Sequence, residues 1–243
     1  DMIEDLTQVY KDCTSSRIKD IYNSYGSEIL DNVTFDGKLM ALPETNIEDG
    51  PSLCWLRKDW MDELGLSAPE TVEDVEHIVR EFVQKDPGGN GKGQTVGLVC
   101  DDELTGGCGY SYEYQTDIIF ASCGAFPKQW LYNADGKVVY GSVQKEAKSA
   151  LQKLRKMYQQ GTLDNHFLMR ESNNIIELIV SGKCGSFFGP WWSPNNPLMS
   201  AMQKNPEAEW QPYLIQTDSD GRTSYASQNP SDKCVVVRKG YKH

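Results

Sequence analysis

The sequence predicts an α/β fold in which helices pack on an open sheet. Three observations carry this. Apolar residues recur at helical spacing in long stretches, most clearly Val72, Val75, Ile78, Val79, Phe82 and Val83, and again Ala147, Leu151, Leu154 and Tyr158. Between the helical stretches lie short apolar runs of strand length, Leu53–Leu56, Val96–Cys100 and Lys183–Phe188. Glycines such as Gly65, Gly124, Gly161 and Gly182 stand where helices should stop, because a residue without Cβ takes the left-handed cap without strain.

Composition bounds the function. The 243 residues allow one large domain or two small ones. A formal charge of −11 argues against nucleic acid and anionic membrane as partners and suits a neutral or cationic small ligand. No run of about 18 apolar residues is present, so nothing in the sequence reads as a membrane span. The chain starts inside a helical pattern, at Asp1-Met2-Ile3, with no leader pattern. The seven cysteines (Cys13, Cys54, Cys100, Cys108, Cys123, Cys184 and Cys234) are odd in number and form no CxxC. Zinc and redox motifs are therefore unsupported. Cys54 and Cys184 fall in apolar strands and read as small core residues. Mostly free thiols are expected.

Taken in order, Ile3, Leu6, Val9 and Tyr10, then Ile18, Ile21, Tyr22 and Tyr25, follow helical spacing. Val33–Phe35, the turn Asp36-Gly37-Lys38 and Leu39–Pro43 predict a hairpin set by its Asp-Gly pair. Residues 44–50 are a polar connection and a hinge candidate. Leu53–Leu56 is a strand and Arg57–Leu64 a helix closed by Gly65. Thr71 should cap the next helix, with Asp74 three residues on. Asp117, Ile118, Phe120 and Ala121 predict a short helix ended by Gly124. Trp130–Tyr132 and Lys137–Tyr140 predict a hairpin around Asn133-Ala134-Asp135-Gly136. Helices follow at 144–160 and 173–181. Leu198, Met199 and Met202 suggest a further short helix, and strands are expected at 209–215 and 234–237.

The stretch Ser181–Trp192, SGKCGSFFGPWW, is the most informative. Gly189-Pro190 stops the strand, since proline cannot donate to a ladder. The chain then delivers Trp191 and Trp192. Open α/β sheets bind ligands at the C-terminal ends of their strands, and an indole face suits the C–H side of a sugar ring. The alternative is that both tryptophans are core. Adjacent residues of an extended chain point opposite ways, which favours at least one lining a pocket.

Three segments carry a family resemblance: SGKCGSFFGPWW, FDGKLMALP at residues 35–43, and the strand–helix segment Leu53–Leu66 containing RKDWMDELGL. Together they resemble the extracellular solute-binding proteins of ABC importers, in the family 1 group that binds maltose and other oligosaccharides. The resemblance implies an α/β, type II periplasmic-binding-protein-like fold. It covers nearly the whole chain but only the middle of such a protein. The expectation is therefore mainly the C-terminal lobe with remnants of the N-terminal lobe. Residues 1–49 would be a partial N-terminal lobe and first hinge, and 50–208 the C-terminal lobe. Residues 209–243 would be a second crossing and another part of the N-terminal lobe.

By the same resemblance Trp191 stacks on a sugar ring; nothing is carried to Trp192. Trp55, Tyr110 and Tyr112 are further aromatic candidates, and Glu44, Glu113 and Asn195 candidates for fixing hydroxyls. Tyr110 and Tyr112 read equally as ligand contacts on a loop tip or as the edge of a core. Glu44 reads equally as a solvated hinge charge. In related proteins the loop corresponding to Asp86–Thr95 can bind calcium through a D-x-[DN]-x-N-G-x-x-D-[ET] pattern. Here Asp86 and Asn90 remain, but the third and ninth positions are Gly88 and Gln94. Either a degenerate calcium site at Asp86 and Asn90 or a plain glycine-rich turn fits. No other cofactor is implied.

The implied function is that of a non-enzymatic, extracellular receptor, a monomer that is either a cell-surface lipoprotein or periplasmic. It would hand an oligosaccharide or related polar solute to permease subunits. Two alternatives stand beside it. A glycoside hydrolase would need two carboxylates across the scissile bond, and no spacing here marks such a pair. A sensory or adhesion module would have kept the fold without transport.

Overall fold

The computed structural model describes residues 2–46, 50–106, 113–225 and 229–241. The elements run α1 (Thr7–Cys13), α2 (Ser16–Ser24), α3 (Glu28–Asp31), β1 (Thr34–Phe35), β2 (Lys38–Leu39), β3 (Leu42–Pro43) and β4 (Leu53–Arg57). Next come α4 (Lys58–Glu63), α5 (Val72–Lys85), β5 (Val96–Val99), α6 (Asp117–Ala121), β6 (Trp130–Tyr132), β7 (Val138–Tyr140) and α7 (Lys145–Gln159). The chain continues through α8 (Ser172–Val180), β8 (Cys184–Gly189), α9 (Met199–Lys204), β9 (Trp210–Tyr213) and β10 (Cys234–Val235). It divides into two units, residues 1–48 with 228–243, and residues 49–227.

The larger unit is organised on a four-stranded sheet in the order β5-β8-β4-β9. β5 and β8 are parallel, and β4 is antiparallel to both β8 and β9. Alternation along the strands sorts side chains onto two faces. Cys54, Leu56, Leu98 and Phe188 enter a core built with α4, α5, α6 and α7. Trp55, Val99 and Phe187 enter a second core with α8 and α9. The result is helices on both faces of a mixed sheet. The stripe on α5 is buried as its spacing predicts. Thr71 and Asp74 make the reciprocal capping box expected of them, a device whose cap residue is worth about 1 kcal/mol.

Several boundaries differ from the sequence reading. Ile3 does not begin a helix but bridges Arg238. The Asp5 carboxylate accepts from the Thr7 N–H at 2.9 Å, so α1 starts only at Thr7. The hairpin at 33–43 is shorter than its sequence suggests. Asp36 and Gly37 both take positive φ, 51° and 73°, as a tight two-residue turn requires, yet pairing ends at Leu39. Leu42–Pro43 instead pairs with β10. β9 pairs along β4 within the larger unit, and that unit runs on to residue 227, whereas the sequence reading began a separate segment at 209. Cys54 and Cys184 are buried in the sheet, and the described cysteines are free thiols.

Candidate ligand-binding site

Because β5 and β8 are parallel, their C-terminal ends share one edge of the sheet. β4 runs the other way and brings Leu53 opposite Gly189 at that edge. β8 cannot continue past Gly189. A Cβ there would stand 2.8 Å from the Ser193 Oγ and 2.9 Å from the Phe187 ring, so the chain turns tightly against itself.

The turn is held by one carbonyl. The Pro190 oxygen accepts from the Ser193 N–H at 3.1 Å, the Ser193 hydroxyl at 2.8 Å and the Trp55 indole N–H at 3.2 Å. Ser193 is fully buried. Its own carbonyl accepts from the Leu198 N–H at 3.1 Å, and the Trp192 carbonyl accepts from the Asn195 N–H at 2.9 Å. A wide helical turn over Pro194–Leu198 follows, broken at Asn196, whose backbone is extended. Trp191 and Asn195 are exposed on this fixed turn, Trp191 with 60% of its surface free. Trp192 is half-buried. The two tryptophans part company as expected, but through a turn rather than through strand alternation.

Trp55 is a correction. It is only 4% exposed, lies parallel to the Phe187 ring at 6.3 Å, and is hydrogen-bonded to the turn. A central strand flanked on both sides sends alternate side chains into one core or the other, and residue 55 falls on the side covered by α8 and α9. Trp55 thus positions the turn that presents Trp191, instead of offering its own face to a ligand.

Glu113 reaches the same edge. The following residue, Tyr114, donates its N–H to the Phe188 carbonyl at 2.9 Å, and its carbonyl accepts from the Asp101 N–H at 3.0 Å. Glu113 is half-buried, and among the described residues its Oε1 is buried with no hydrogen-bond partner. Desolvation pushes its carboxyl above the ordinary value of 4.5. Tyr110 and Tyr112 lie outside the described residues. Glu44 is exposed just after β3 in the smaller unit, where its N–H donates to the Lys233 carbonyl at 2.9 Å.

Tyr114 was not singled out by sequence. It is 1% exposed, takes φ +64°, and packs its ring 5.7 Å from Phe187. Among the described residues its buried hydroxyl has no partner, and burial drives its phenol well above the ordinary range. A bulky residue with positive φ is uncommon and persists where surrounding contacts enforce it. No residue-type signal foretells this, because tyrosine is not a residue that turns demand. The end of β8 thus carries an exposed indole and an exposed amide on the turn that follows it, and a half-buried carboxyl group next to the residue bonded to Phe188.

Asp86 and Asn90 do not fit calcium as they stand. Asp86 Oδ1 accepts from the Asn90 N–H at 3.0 Å and from the Thr95 hydroxyl, and Oδ2 accepts from the Gly91 N–H at 2.8 Å. The Asn90 side-chain amide donates to the Gly182 carbonyl at 3.0 Å and to the Thr95 Oγ1 at 3.1 Å. A cation needs converging oxygens, and here N–H and O–H donors converge on the aspartate. Among the described residues no group of three or more acidic, histidine or cysteine side chains is arranged to hold a metal.

No family model matches the chain. It is 29% identical over 182 residues to lipoprotein LipO of Bacillus subtilis, covering 74% of this chain and 34% of LipO. It is 26% identical over 170 residues to YtcQ of the same organism, a polygalacturonan/rhamnogalacturonan-binding protein, covering 69% and 32%. Among solved structures, the ABC-transporter substrate-binding protein FusA of Streptococcus pneumoniae, in complex with kestose, matches with a TM-score of 0.70 at 20% identity. That match covers all of this chain and 49% of FusA. An extracellular solute-binding protein of Bifidobacterium longum subsp. infantis matches with a TM-score of 0.71 at 17% identity, covering 98% of this chain and 48% of its own. The chain therefore spans about half the length of these solved structures, and the fold they share is the α/β, type II periplasmic-binding-protein-like one. Sequence similarity and fold agree with the motifs: the chain is similar in sequence to these binding proteins and shares the fold of the solved ones.

Proposed function

We propose that this chain is part of the extracellular substrate-binding component of an ABC importer, and that its ligand is an oligosaccharide. The observation that carries the reading is the exposed Trp191 on a turn pinned to the end of β8, with Glu113 tied to the same strand end. Trp191 stacks on a sugar ring. Glu113 and Asn195 meet hydroxyls: the Glu113 carboxyl accepts from them, and the Asn195 amide both donates and accepts. Tyr110 and Tyr112 remain proposed contacts of the same ligand, and Glu44 remains a proposed hydroxyl contact. Two relatives are described as binders of a polygalacturonan/rhamnogalacturonan and of a fructooligosaccharide, which supports a glycan.

The protein acts without catalysis. It is held outside the cell as a lipoprotein and delivers its ligand to permease subunits. A thermal-shift screen against fructo-, xylo-, malto- and galacturonate oligosaccharides tests this. A ligand at about 100 times its dissociation constant adds roughly 2.7 kcal/mol, or about 5–10 °C for a chain of this size at about 2–4 °C per kcal/mol. The expected result is a shift with one sugar class that is lost in Trp191→Ala, with the glycan recovered intact. No shift with any sugar, or steady cleavage of the glycan, would sink the reading.

A further inference from the structure

We infer that the Asp86–Thr95 loop is a cation-independent lock, in which Trp60 and the hydrogen-bond donors of Asn90, Gly91 and Thr95 occupy the place and do the work of a bound ion. The loop joins α5 to β5, and Asp86 caps α5 in the left-handed conformation, with φ +51°. Such a turn needs something at its centre to hold the backbone. The Asp86 carboxylate supplies it by drawing in two backbone N–H groups and one hydroxyl. Those hydrogen bonds hold its carboxyl below the ordinary 3.8, the Thr95 hydroxyl contributing most.

Asn90 then ties the loop to the neighbouring α8–β8 junction, at the edge of the sheet where β5 and β8 both begin. The Gly182 carbonyl can only accept, so the Asn90 NH₂ end must face it. That orientation points the amide nitrogen, not its oxygen, at Thr95. The same contact fixes the α8–β8 junction, the segment that leads into the strand carrying Trp191.

Sterics close the route back to a metal site. A Cβ at Gly88 would stand 2.6 Å from the Trp60 ring and 2.7 Å from the Asn90 amide nitrogen. Trp60 cannot yield. It is 3% exposed, edge-on to Phe82 at 5.2 Å, covered by the Arg57 guanidinium at 4.6 Å, and its other edge lies 2.3 Å from where a Cβ at Gly185 would be. An acidic side chain at position 88 is thus excluded by the same indole that packs the loop. Glycine at 88 and tryptophan at 60 are one arrangement.

The test is thermal unfolding of the whole chain in EDTA and in millimolar calcium, with terbium luminescence sensitised by the adjacent Trp60 as a second readout. The expected result is the same midpoint within about 1 °C in both conditions, and terbium emission no higher than that of Asp86→Asn. A calcium-dependent rise that vanishes in Asp86→Asn, or terbium emission that does, would overturn the inference. A rise that persists in Asp86→Asn comes from other carboxylates and leaves the lock standing. Two variants probe the donors. Thr95→Val should lower the midpoint equally with and without calcium. Gly88→Asp should lower it too, and calcium should not restore it. Restoration by calcium in either variant counts against the lock, and the unmodified chain decides the question if a variant fails to fold.

Discussion

Two loops of the larger unit are built on opposite principles. The 86–95 loop is rich in glycine and polar groups, yet its key carboxylate is saturated by protein donors and its neighbouring indole, Trp60, is buried. The turn after β8 carries two tryptophans and three prolines, yet it exposes Trp191, and Glu113, next to the residue bonded to the end of β8, keeps a carboxyl oxygen with no partner among the described residues. Polarity alone therefore does not mark a binding site. The loops differ in exposure and in hydrogen bonding: one indole is buried and the other exposed, and one carboxylate is saturated while the other keeps, among the described residues, a buried oxygen without a partner.

The comparison breaks first at the two tryptophans. Trp60→Ala should cost the most, about 3–5 kcal/mol of folding stability in denaturant unfolding, with or without a sugar. Trp191→Ala should leave stability within about 0.5 kcal/mol. Calorimetry should instead show glycan affinity falling at least about tenfold, equivalent to about 1.4 kcal/mol. Equal stability losses at the two sites would mean that Trp191 is a core residue. Trp55→Phe keeps the stacking on Phe187 but removes the donor to Pro190. It should cost about 1 kcal/mol and weaken glycan binding through a loosened turn. Unchanged binding would show that the turn does not need that anchor.

The smallest effect is in pH, and its sign separates the loops. Asp86 has a lowered carboxyl. It contributes stability above its ordinary 3.8 that is lost as pH falls through its folded value. Asp86→Asn should therefore be less stable than the parent at pH 7, with the gap closing below pH 4. Glu113 has a raised carboxyl. Its folded form prefers the proton, so ionising it costs stability as pH rises through its folded value above 4.5. Glu113→Gln should gain on the parent towards pH 7, and the gain should fade at about pH 4. Parallel trends in the two variants would undo the contrast drawn between a satisfied and an unsatisfied carboxylate.

The α5 stripe, its Thr71–Asp74 cap, the Asn133–Gly136 hairpin turn and the Gly182 stop before β8 were legible in the sequence by itself. Each depends on spacing or backbone freedom within a few residues, and local physics decides it. The motif segments also carried the likeness to solute-binding proteins. What the tertiary structure alone decided depends on partners distant in sequence. Trp55 is core because β8 and β9 flank its strand and α8 and α9 cover that face. Leu42–Pro43 leaves its hairpin because β10, nearly two hundred residues on, offers it a ladder. Tyr114 takes its left-handed backbone because Phe188 and Asp101 hold it on either side. Gly88 reads as an ordinary loop glycine until Trp60 is seen against it. A sequence states which groups are present. Only the fold states which of them already have their hydrogen bonds and their neighbours.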